Sequence, residues 1–94
     1  MPYITKERRD NFEAPLRILV DRINSDCPGE LNYIISYLLN SIIRRHLVKS
    51  YSWLSQWRAA INDASDEFYR RVIGPYENEK RKENGDVYDD VFDV

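Results

Sequence analysis

The sequence predicts an all-α fold: a three-helix protomer whose long third helix is kinked near Gly74-Pro75, and which assembles into a symmetric helical oligomer. Three observations lead there. Apolar residues recur at helical spacing in three separate segments, turn-forming clusters fall between them, and no stretch alternates as a strand would. The 94 residues are 43% hydrophobic and 32% charged, which suits a folded chain. They are read as one helical domain over residues 1–85 and an acidic tail over 86–94. A domain this small buries little of its own surface and association is a common remedy, so a C2 dimer is the first expectation, with a larger ring as the alternative.

In the first helix Phe12, Leu16, Leu19, Val20 and Ile23 form one apolar stripe. Asn11 is the expected N-cap, which would put Pro15 in the first turn, where its missing N–H costs little. Residues 5–10 are read as a short earlier turn capped by Thr5. Asn24-Ser-Asp-Cys-Pro-Gly29 ends the helix with turn formers. The second helix is predicted from about Glu30 to Lys49, with Leu31, Ile34, Ile35, Leu38 and Ile42 on one face and Leu39, Ile43 and Leu47 widening it. So broad a face predicts neighbours on more than one side. Asn32 and Asn40, eight residues apart, are candidates for a polar seam that sets helix register.

The third helix is predicted to start at Ser50 or Ser52. Leu54, Trp57, Ile61, Ala64, Phe68 and Val72 keep the helical period. Gly74 is a poor helix former and Pro75 lacks an N–H, so an interruption is expected there before a charged segment resumes. Asn84-Gly85 is the stop signal. The tail Asp86–Val94 is expected to be flexible unless it docks.

Charge and composition exclude several classes. The formal charge is −2, but four aspartates in the last ten residues leave residues 1–84 at only +2. That is too little for a general nucleic-acid binder. One cysteine and one histidine cannot make an internal disulfide or a Cys/His zinc site. The longest apolar stretch, about Tyr33–Val48, is broken by Ser36, Asn40, Ser41, Arg44 and Arg45, so no membrane span is expected. The start carries no apolar run of signal-peptide type, and an intracellular location is the expectation. No glycine-rich phosphate loop, nucleophile elbow or metal-ligand spacing is present, so the chain is read as no enzyme, with no cofactor.

The candidate ligand-binding residues are Tyr33, Tyr69, Arg70, Arg71, Tyr76 and Lys80. Tyrosine offers a flat apolar face and a hydroxyl, and a guanidinium can grip phosphate and stack on a base. Each has a plainer use. The tyrosines can border a core, and Asp66–Arg70 and Glu67–Arg71 are spaced for salt bridges one turn apart.

The blocks Met1-Pro-Tyr-Ile…Glu7-Arg-Arg9, Gly29-Glu-Leu-Asn-Tyr33 and Glu67-Phe-Tyr-Arg-Arg71…Pro75-Tyr-Glu77…Glu83-Asn-Gly-Asp-Val-Tyr88 resemble a family of small uncharacterised proteins encoded in bacteriophage and bacterial genomes. Residues 89–94 extend past the end of that pattern. The family has no established active site, so the resemblance carries over no residue roles. It implies a phage setting and the cytoplasm of the host cell. The stretch from Trp53 to Arg71 is also loosely similar to the helical phage proteins that sequester cyclic nucleotides.

Those resemblances and the residue reading yield three functional expectations. The first is a non-enzymatic anti-defence protein that soaks up a nucleotide immune signal at pockets between protomers. The second is an inhibitor that binds a host defence protein, anti-CRISPR-like, with Tyr88 and Phe92 among tail aspartates docking on a basic groove. The third is an accessory of virion assembly or replication.

Overall fold

A computed structural model describes residues 4–88 of the chain. The described residues form helices α1 (Lys6–Arg22), α2 (Pro28–Arg45) and α3 (Tyr51–Phe68), then a π-helical turn (Tyr69–Ile73) and α4 (Gly74–Asn84). The last three run on without a break, so the third helix of the sequence reading is 34 residues long. Among the described residues there is no strand, and no helix is long and apolar enough to cross a membrane. The chain divides into two compact units, Met1–Trp53 and Leu54–Val94.

In the first unit, α1 is capped six residues before the expected Asn11 cap, nearly two turns earlier. Thr5 is the N-cap: its side chain accepts from the Arg8 N–H at 3.4 Å, and its carbonyl accepts from the Arg9 N–H at 3.0 Å. Once Thr5 caps the helix, Lys6–Asp10 join it, and Pro15 falls in the interior rather than the first turn. The Asn11 carbonyl therefore has no donor four residues on. Residues 24–27 turn on themselves, with Asn24 Oδ1 accepting the Asp26 N–H at 2.9 Å. Glu30 reaches back from the first turn of α2, its Oε1 accepting the Asn24 N–H at 2.8 Å.

Helix α2 opens on Pro28, where a fixed φ suits the first turn and the missing N–H is an orphan anyway. It ends at Arg45 rather than Lys49. The His46 N–H bonds back to the Ile43 carbonyl at 3.2 Å, and residues 46–50 leave the helical path. The His46 ring stacks on Trp53, with centroids 4.0 Å apart and planes within 4°. Leu47, expected to widen the α2 face, lies beyond the helix and is 96% exposed. Ser50 caps α3 as anticipated, its hydroxyl oxygen accepting the Trp53 N–H at 3.1 Å.

No described residue is fully buried. Within the first unit α1 and α2 come together around their connecting turn and do not pack along their lengths. Leu16 of α1 and Leu31 and Leu38 of α2 each keep about half their surface in water, at 53%, 53% and 51% exposure. The apolar stripes are where the sequence puts them, and the neighbours expected around α2 are not supplied by α1.

Candidate ligand-binding surface

The second unit holds five of the six candidate residues, and the π turn arranges them. The Gly74 N–H bonds to the Tyr69 carbonyl five residues back, the mark of π geometry. Pro75 immediately follows, and it cannot donate to the carbonyl four residues earlier. The helix meets that defect by widening one turn instead of breaking, and Gly74 and Ile73 keep right-handed helical angles. A side chain on Gly74 would put a Cβ 3.2 Å from the Tyr69 carbonyl oxygen, so the widened turn is tight around the glycine.

One extra residue per turn shifts the helical register downstream. In a regular helix Tyr69 and Glu77 would sit about 80° apart; with the extra residue taken up they come within about 20°. The Tyr69 hydroxyl accordingly donates to Glu77 Oε2 at 2.6 Å. That hydrogen bond, and then the negative charge of Glu77, hold the Tyr69 phenol above its ordinary pKa. The same shift draws Tyr76 and Lys80 toward the side of Arg71, from which Lys80 would lie diametrically opposite on a regular helix, with Arg70 about a quarter-turn from Arg71.

Tyr76 is 63% exposed and the Lys80 ammonium lies 5.7 Å from its ring centroid, within cation–π range. Lys80 also reaches Glu83 at 3.3 Å. Glu67 pairs with both Arg70 and Arg71, so the expected Asp66–Arg70 bridge gives way to Glu67–Arg70. The three groups together carry one positive charge in excess. Both guanidinium side chains are about two-thirds exposed, at 69% and 67%, while the Glu67 side chain they share is only 22% exposed. A phosphate therefore has open access to the two guanidiniums.

Tyr33 lies in the first unit. Its neighbour is Tyr37, with ring centroids 6.2 Å apart and tilted by 36°. It also borders an open cleft of about 410 Å³ at the α1–α2 corner, lined with Leu19, Arg22, Ile23, Cys27, Glu30 and Ile34. Among the described residues no group of three His, Cys, Asp or Glu side chains is placed to hold a metal ion.

The sequence reading missed Glu77 as an organising residue, because a separation of eight is not a helical contact without the π turn. It also passed over Glu67 as a shared partner, although Arg70 and Arg71 at three and four residues are both within its reach. Phe92 and the aspartates at 89, 90 and 93, named for the second functional expectation, lie outside the described residues, as do the first three residues of the Met1-Pro-Tyr-Ile block.

The signature of a domain of unknown function, DUF6899, matches residues 1–87. The chain belongs to this family. The DUF6899 match takes in all four helices and the π turn, and stops short of the last acidic residues. Comparison with curated proteins and with solved structures gives no match.

Proposed function

We propose that the chain is a non-enzymatic binding protein that sequesters a phosphorylated nucleotide, acting as a phage-type anti-defence factor. The observation that carries this reading is the exposed Tyr76 ring with the Lys80 ammonium beside it and the exposed Arg71 side chain in the adjoining π turn. An open aromatic face accepts a base at roughly 1–3 kcal/mol per stacked ring. A guanidinium and an ammonium flanking that face meet the phosphates. Tyr69 contributes differently from its neighbours: its hydroxyl is engaged by Glu77, leaving the edge and face of the ring for contact. Arg70 adds charge nearby from another side. The π turn supports the reading, since such turns occur frequently at functional sites.

The test is native mass spectrometry of protein purified without denaturation from cells that carry the cognate signal. The reading expects added mass of nucleotide size on the wild type and its loss from Tyr76→Ala. Bare protein in both, with no uptake from a panel of cyclic and linear nucleotides, overturns it. Capture of a host defence protein by that bare chain would favour the inhibitor reading instead.

A further inference from the structure

We infer that α2 is a self-recognition helix, which pairs antiparallel with α2 of a second copy across a two-fold axis near Leu38. The inference is independent of the nucleotide reading, because it uses only residues of the first unit. The argument begins with the face itself. Leu31, Ile34, Ile35, Leu38 and Ile42 fall within about 100° around the helix, a stripe of the width that buries against a neighbour. Leu31 and Leu38 are more than half exposed, at 53% and 51%, while Ile34, Ile35 and Ile42 are half-buried, and α1 meets α2 only near the turn.

Charge selects the occupant and its direction. Glu30, whose Oε1 already accepts the Asn24 N–H, borders this stripe at the N-terminal end, and Arg45 falls at the same edge of it at the C-terminal end, with Ser41 between. The Arg44 and Arg45 side chains make no ion pair or hydrogen bond among the described residues. A two-fold perpendicular to two antiparallel helices brings the same flank of each together. Centred at Leu38, it sets Leu38 against Leu38, Ile34 against Ile42, and Glu30 level with His46, one residue past Arg45. Each interface end thus gains an opposite-charge pair, and the stripe is covered along its length. A parallel pair would instead put Glu30 on Glu30 and Arg45 on Arg45, repelling at both ends. The helix carries its own complement, so a second copy is the occupant it fits.

The experiment uses the full chain with Cys27→Ser, to which single cysteines are added. The Ile34→Cys and Ile42→Cys chains are oxidised mildly, separately and as a mixture, while sedimentation equilibrium follows the unoxidised protein. The expected result is a dimer or a multiple of it in sedimentation, with disulfide-linked heterodimer in the mixture and little in either chain alone. Glu30→Arg should weaken association at least several-fold, and adding Arg45→Glu should restore it, with helical circular dichroism unchanged as the folding control. A monomer at all concentrations overturns the inference. So does efficient self-linking of Ile34→Cys, the signature of a parallel pair, and so does a charge swap that fails to rescue.

Discussion

The hydroxyl of Tyr69 and the carboxylate of Glu77 are joined at 2.6 Å across eight residues of one continuous helix, a contact that only the intervening π turn makes possible. Because the donor must be a protonated phenol next to an anion, the pair makes a signed prediction. The Tyr69 pKa is raised, so the stability it contributes is fully present below the ordinary tyrosine value near 10 and is lost as pH rises through the raised value. Site-resolved NMR titration should show Tyr69 ionising above the ordinary tyrosine value, and Glu77→Gln should bring it down. A Tyr69 titration unaffected by Glu77→Gln would mean that the contact is absent in solution.

Pro15 separates the observed α1 from the shorter helix read from sequence. In a helix interior proline costs about 3 kcal/mol relative to alanine, while in the first turn it costs little. Pro15→Ala should therefore raise helicity and stabilise the first unit by roughly 2–3 kcal/mol. Thr5→Ala should lower stability by about 0.5 kcal/mol through loss of the cap. Thermal melts followed by circular dichroism check both, and a neutral Pro15→Ala would favour a start at Asn11.

The end of α4 rests on Gly85, at φ +85°, whose N–H bonds to the Arg81 carbonyl at 2.8 Å. Gly85→Ala should cost about 1–2 kcal/mol locally and fray the last turn, visible as faster amide exchange over residues 81–84. Asp86 completes this end. Its pKa is lowered, first by the Tyr88 N–H bonded to it at 3.1 Å, with the Arg81 guanidinium adding to the effect. The cap is thus expected to be intact above about pH 4 and to loosen as pH falls through the lowered value. Tyr88 amide shifts recorded against pH report it directly.

Glu67 holds both Arg70 and Arg71, so Glu67→Gln releases one unit of positive charge at the candidate surface. If phosphate competes for those guanidiniums, this variant should bind nucleotide about two- to five-fold tighter at low salt, and the gain should shrink as salt is added. Weaker binding would instead assign Glu67 the task of positioning the arginines.

Much of the fold was legible because its signals are local. Leu31, Ile34, Leu38 and Ile42 announce α2 by spacing alone, Ser50 marks the start of α3, and Gly85 marks the end of α4. The α1 start was misread because Asn11 and Thr5 are both good caps, and only competition between them decides. The end of α2 was misread because nothing between Arg45 and Lys49 breaks a helix; the His46–Trp53 stack accompanies the departure and is invisible to periodicity. At the candidate surface the residue types were readable and their grouping was not. Arg71 and Lys80 would lie on opposite sides of a regular helix, and the π turn narrows that separation by a shift that no count along a regular helix would supply.

The most direct test of the central claim is isothermal titration calorimetry of cyclic dinucleotides and related nucleotides into the wild type and Tyr76→Ala. The account predicts saturable heat with at least one nucleotide, reduced ten-fold or more in affinity when the Tyr76 ring is removed. No heat with any nucleotide, or equal affinity in the two proteins, would contradict it.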